Sequence, residues 1–173
     1  MRLWSTGTDR IRSQMPFGIT LKCLNDTASP VFKNYPPHVT LAVYPEIAVD
    51  RLAEAAERVF RSRPAVTLSF SRIGSFENQF LVLWARPDHD EWLFQLHAAL
   101  HREIEPVHCH EHYWPGNWVP HCTIAAKIPK ARLQAAISWA NRNRRQFSVT
   151  FDPADCVRFP PVDVLSEIRL ASR

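Results

Sequence analysis

Two stretches of the chain, PHVTLA from Pro37 and PHCTIA from Pro120, agree at proline, histidine, threonine and alanine and carry an aliphatic residue at the fifth place. Eight histidines and as many threonines would give only about 0.4 His-x-Thr by chance, so two copies in matching surroundings read as one site built twice. On a strand the period of two puts His38 and Thr40 on one face with Ala42 and Tyr44, and His121 and Thr123 with Ala125 and Lys127. Val39, Leu41 and Val43, like Cys122, Ile124 and Ala126, then form apolar faces ready to pack on helices. Two such polar faces meeting across a cleft offer two imidazoles and two hydroxyls. A histidine near its ordinary pKa of about 6.5 acts as a base when neutral and an acid when charged. A pair therefore suits a displacement at phosphorus in which one proton leaves and another enters. The Thr40 and Thr123 hydroxyls can donate to phosphate oxygens, and Lys127 can add charge from the same face. The bland alternative, two satisfied strand histidines with threonines present for β propensity, does not explain the doubled context.

A second set of titratable residues lies between the motifs. His97 and His101 stand at i and i+4 on an expected helix, and HCHEH follows with His108, His110 and His112. Imidazoles so spaced share a helix face and are common zinc ligands, so a zinc-binding protein using residues 97–112 is one reading. HAALH has no glutamate where the HExxH motif needs one, and a solvated histidine-rich loop is the simpler reading. Tyr113, Trp114 and Trp118 directly precede the second motif. In a protein acting on RNA such rings stack on bases, at about 1–3 kcal/mol each; in any fold they also anchor cores. Tyr44, Tyr113 and Trp118 are the candidate substrate contacts. Arg142, Arg144 and Arg145 read as a solvated helix end. Cys23, Cys109, Cys122 and Cys156 form no CxxC pair and read as reduced, buried thiols.

The elements that must position these residues follow from period and punctuation. Strands are expected at 17–24, 38–44, 65–70, 79–85, 121–127, 147–151, 156–159 and 165–171. Helices are expected from Asp50 to Arg61 (Leu52, Ala55, Ala56, Val59), from an Asp90 cap to Glu105 (Trp92, Leu93, Leu96, Leu100, Ile104) and from Lys130 to Asn143 (Leu133, Ala136, Ile137, Ala140). Strand, helix, strand, strand recurs after each motif, which suggests a duplication with its boundary near 87–106. The fold class is α+β with mainly antiparallel sheets.

The chain has 173 residues, 46% hydrophobic and 22% charged, which fits one globular domain and excludes disordered, collagen-like and disulfide-stapled classes. No run approaches the ~18–20 apolar residues of a membrane span, and the first sixteen residues carry no apolar signal core. A cytoplasmic protein without membrane contact is expected. The formal charge of +4 is compatible with an anionic substrate.

The paired motifs resemble the 2H phosphoesterase superfamily, which takes in the 2′-5′ RNA ligase-like proteins and the 2′,3′-cyclic phosphodiesterases. LHAALHREI from Leu96, YWPGNWVPHCTIA from Tyr113 and VRFPPVDVL from Val157 support the resemblance, which spans Phe17 to Ala171. It implies a two-lobed, pseudo-symmetric α+β fold, each lobe an antiparallel sheet with flanking helices, and an active cleft between the lobes. Residues 17–173 would form this single bilobal domain and 1–16 an N-terminal arm. By the same resemblance His38 and His121 are the catalytic acid and base, and Thr40 and Thr123 hold the phosphate. No metal or other cofactor is expected; the partner is a nucleotide or RNA end with a 2′,3′-cyclic phosphate, and the protein a monomer. Ring opening by water is the expected activity, with 2′-5′ ligation as its reverse. One departure is that only about fourteen residues separate Leu24 from His38, where the family places a substantial helix, so a trimmed first lobe is expected. A rival from another class is a non-catalytic nucleotide- or RNA-binding module with the same cleft; it predicts binding that survives loss of the histidines.

Overall fold

The computed structural model describes residues 15–23, 35–77, 80–143 and 146–171. Most of the expected arm, most of the short segment before His38, and Arg144 and Arg145 lie outside them. The described elements run β1 (Phe17–Cys23), β2 (His38–Tyr44), α1 (Val49–Phe60), β3 (Val66–Glu77), β4 (Leu81–Pro87), α2 (Glu91–Glu103), β5 (Cys122–Ile128), α3 (Leu133–Arg142), β6 (Phe147–Arg158) and β7 (Asp163–Ile168). Among the described residues no helix is long and apolar enough to cross a membrane.

The helices form where the apolar residues recur at helical spacing. Leu52, Ala55, Ala56 and Val59 of α1 are buried as expected, although Ala48 is its N-cap and Asp50 stands in the first turn, where a carboxylate favours the helix dipole. Asp90 does cap α2: its Oδ1 accepts from the Leu93 amide at 2.8 Å. Leu133, Ala136 and Ala140 of α3 pack with Leu81 and Leu83 as a satellite of the main core.

All the strand pairs are antiparallel, in the order β1-β2-β5-β4-β3-β6-β7 with β1 also pairing β6. Strand β6 explains this arrangement. Its first part, Phe147–Phe151, pairs with β3, and its second part pairs with β1 on one side and β7 on the other. The change of partner from β3 to β7 falls between Phe151 and Ala154. Pro153 sits there, where its missing N–H costs no ladder bond. Two four-stranded lobes result, β2-β1-β6-β7 and β5-β4-β3-β6, which share β6 and meet again where β2 touches β5. Helix α1 packs on β6, β7 and α2, and α3 on β3 and β4.

The expected halves are therefore interleaved, not consecutive. Each motif strand and its helix are completed by the hairpin that follows the other motif: β6-β7 serves β2 and α1, and β3-β4 serves β5 and α3. The stretches 147–151 and 156–159 belong to one strand, since β6 runs through Pro153. The expected connection at 71–78 is largely strand as well. Gly74 is inside β3 because the Trp84 indole lies on it; a Cβ there would come 2.5 Å from the ring, so glycine serves close packing and no turn.

Candidate active site

Lobe-to-lobe pairing is reduced to one register pair, Val39 with Cys122. In an antiparallel pair that register sets His38 opposite Thr123 and Thr40 opposite His121, each motif meeting the other in reverse order. Val39 and Cys122 are buried, so the intervening positions face the other way, into a cleft of ≈ 370 Å³ lined by His38, Thr40, His121 and Thr123. The pseudo-twofold relation extends to the rings. His38 Nδ1 lies 2.9 Å from the Pro36 carbonyl and His121 Nδ1 lies 2.8 Å from the Val119 carbonyl. A carbonyl only accepts, so both rings donate Nδ1–H to the residue two back, and Nε2 is the nitrogen that gains and loses a proton. Burial lowers the pKa of each below the ordinary histidine value, and the charge of His121 lowers that of His38 further.

The surroundings of the two imidazoles differ. The Tyr35 ring meets His38 edge-on at 5.0 Å. Its hydroxyl donates to Asp155 Oδ2 at 2.7 Å and so accepts from Thr20 Oγ1 at 2.7 Å. Asp155 is fully buried and faces Lys22 Nζ at 3.2 Å, which also meets Glu167 at 2.6 Å. This chain of polar groups fixes the ring behind His38. His121 instead lies against aromatic residues, with the Phe76 ring edge-on at 5.1 Å and Trp84 at 5.9 Å; Phe76 and Trp84 stack at 4.9 Å.

Two of the expected contacts, Tyr44 and Lys127, are placed elsewhere, and a third, Trp118, is largely covered. Tyr44 is 0% exposed and belongs to the main core, because β2 carries a bulge: Ile19 pairs with Ala42 but Thr20 with Thr40. One extra residue reverses the faces beyond it, so Val43, not Tyr44, joins the cleft. Lys127 is exposed with a φ of 56° and lines neither the cleft nor its extension. The β4–β5 register slips between Thr123 and Ala125 and again between Ala125 and Ile128, and the first slip reverses the alternation that runs from His121. Trp118 is 7% exposed; His97 covers one face of its indole at 4.1 Å and 2°, and its Nε1 donates to the Thr40 carbonyl at 3.1 Å. It braces the first motif and has little face left for a base. Tyr113 does line the cleft.

The histidine-rich stretch is split. His97 and His101 are buried on α2, and each donates Nε2–H to the Tyr113 carbonyl, at 2.9 and 2.8 Å. Burial lowers both pKa values, that of His97 to about 4. His110 and His112, by contrast, line the cleft. Among the described residues no three histidine, cysteine or carboxylate side chains are grouped to hold a metal ion. Sequence reasoning misses His110, His112, Tyr35 and Thr20 as cleft residues. HCHEH invites a metal reading only, and the Tyr35–Asp155 contact joins positions far apart in the chain.

A second chamber of ≈ 550 Å³, lined by Ser75, Phe76, Glu77, Asn117, Trp118 and Val119, adjoins the first, with His112, Tyr113 and His121 in the wall of both. The described cleft thus has room beside the paired histidines for more than a phosphate.

Similar folds and sequences agree with this architecture. Escherichia coli LigT complexed with 3′-AMP superposes with a TM-score of 0.60 at 14% identity, covering 90% of this chain and 98% of that one. TT0787 of Thermus thermophilus gives 0.61 at 18%, covering 90% and 98%, and Kluyveromyces marxianus Usb1 gives 0.51 at 13%, covering 91% and 99%. A Geobacillus thermodenitrificans (strain NG80-2) protein that carries a phosphoesterase name is 25% identical over 155 residues, 80% of this chain and 84% of the relative. The model of the 2′-5′ RNA ligase superfamily matches residues 4–160, a span that holds both His-x-Thr motifs and the strands that pair them, and the chain belongs to that superfamily.

Proposed function

We propose that the protein is a phosphodiesterase that opens a 2′,3′-cyclic phosphate on a nucleotide or RNA end by two-histidine acid–base catalysis, without a metal. The observation that carries this reading is the reversed register of the two motifs about Val39 and Cys122, with both imidazoles held through Nδ1. Superfamily membership and the 3′-AMP bound to LigT support a phosphoester of a nucleotide as substrate. One Nε2 takes a proton from water as its oxygen bonds to phosphorus. The bond from phosphorus to one ribose oxygen breaks, and the other Nε2–H gives that oxygen its proton. Thr40 and Thr123 hydroxyls donate to the non-bridging oxygens, whose charge grows as the reaction proceeds. With the 5′ hydroxyl of a second ribose attacking phosphorus in place of water, its proton going to one Nε2 and the departing 3′ oxygen taking a proton from the other, the same groups form a 2′-5′ linkage.

The test is hydrolysis of the four 2′,3′-cyclic mononucleotides and of a short RNA with a cyclic end, in EDTA. Turnover should persist in the native protein and fall by about 10²-fold or more in His38→Ala and in His121→Ala, the usual contribution of a positioned acid or base. The product isomer identifies the departing oxygen. A native protein that binds these nucleotides but turns none over refutes the reading in favour of a binding module.

A further inference from the structure

The substrate proposed above is an anion, yet none of the described residues lining the cleft is lysine or arginine. Burial pushes His38 and His121 toward the neutral form, and the Thr20 and Tyr35 hydroxyls are occupied with each other and Asp155. Besides the Thr40 and Thr123 hydroxyls, the polar side chains left on its wall are Tyr113 and the second imidazole pair, His110 and His112.

The backbone holds that pair in place. Strand β5 leaves β2 after a single register pair, and beyond it two β2 carbonyls are taken by the loop before β5: Trp118 Nε1 donates to Thr40 and the His110 amide donates to Val43 at 2.7 Å. The loop is thus tied along β2 over the cleft. His112 lies beside His110, with ring centroids 4.7 Å apart, and its amide donates to His110 Nδ1 at 3.3 Å. Since Nδ1 of His110 accepts, the neutral ring carries its proton on Nε2. This is the opposite tautomer to His38 and His121, so His110 can donate a hydrogen bond without being charged. His112 lines both chambers.

We propose that His110 and His112 form a substrate-binding imidazole pair that grips the phosphate-bearing end of the nucleotide, a role that no arginine or lysine among the described lining residues fills. The assignment rests on the phosphodiesterase reading for its substrate but on the cleft geometry for its anion. His110 donates through Nε2–H to a phosphate oxygen, and His112 contacts the same ligand where the two chambers join.

The test uses His110→Ala, His112→Ala, the double variant, and His110→Gln, whose amide restores an N–H donor. The readouts are steady-state kinetics with 2′,3′-cyclic AMP, calorimetric binding of inorganic phosphate, and thermal midpoints as a folding control. In the double variant KM should rise about tenfold to a hundredfold, as expected for a lost hydrogen bond to a charged group. The fall in kcat should stay under about threefold, the signature of lost uniform binding. Phosphate affinity should fall in parallel, and His110→Gln should recover most of the His110→Ala loss. Unchanged KM and phosphate affinity in a folded double variant overturn the pair and leave the phosphodiesterase reading standing. A native protein that binds phosphate through the pair but opens no cyclic nucleotide does the reverse.

Discussion

At the scale of single residues, the decisive contacts are the two Nδ1–H bonds to backbone carbonyls, because they set the tautomer of each imidazole before any substrate arrives. An active pair holds one proton: the base must be neutral and the acid charged. Activity is lost as pH falls through the lower pKa of the pair and as pH rises through the upper one. Burial lowers both histidines, and mutual repulsion lowers His38 further. The kcat/KM profile with a cyclic nucleotide is therefore expected to be a bell whose maximum lies on the acid side of about 6.5, the ordinary histidine value. A maximum well above neutrality would show that the resting environment of the pair is not the one described. His-x-Thr was legible at this scale from spacing alone. The roles of Tyr35 and Asp155 were not, since 120 residues separate them and neither stands in a repeated pattern.

At the scale of elements, the bulge in β2 shows how one residue redirects a strand. Strict alternation carries Tyr44 to the cleft, but the shift between Ile19 and Thr20 turns it into the core with its hydroxyl lacking a hydrogen-bond partner among the described residues. Removing a buried, unpaired hydroxyl leaves the packing in place, so Tyr44→Phe is expected to keep kcat and KM and to hold or raise stability, by up to about 1 kcal/mol. Urea unfolding beside steady-state kinetics checks this; a raised KM would place the ring at the substrate after all. The helices were the most legible elements because Leu52 to Val59 and Leu93 to Leu100 keep their period over successive turns. The reading of 71–78 as a connection failed at Gly74, whose role depends on Trp84 in the partner strand.

At the scale of the whole molecule, α2 supports the loop that is tied along β2 and lines the cleft. His97 and His101 are neutral donors to the Tyr113 carbonyl, and His97 also covers Trp118, which holds the Thr40 carbonyl. Their folded pKa values lie below the unfolded value of about 6.5, that of His97 at about 4. The unfolded chain then binds protons that the folded one refuses. Stability is fully present above about pH 6.5 and is lost as pH falls from there toward 4. The His97 shift corresponds to about 3 kcal/mol. Urea midpoints measured from pH 7.5 to 4.5 should fall, and the fall should be smaller in His97→Gln, which keeps a donor but does not titrate; an equal fall in both would assign the acid loss to other groups.

Composition, helical period and the doubled His-x-Thr were enough to determine the α+β class, the three helices and the four motif residues that share a cleft, because these are carried by local pattern and by a repeat within one chain. Tertiary structure alone decided that the lobes interleave through β6, that a bulge sends Tyr44 inward and register slips send Lys127 outward, and that His110 and His112 join the cleft while His97 and His101 lie in the core. The first three depend on pairing between strands distant in sequence, where a shift of one residue exchanges the two faces of a sheet, and the last depends on where α2 and the loop before β5 pack; neither leaves a trace in the local pattern.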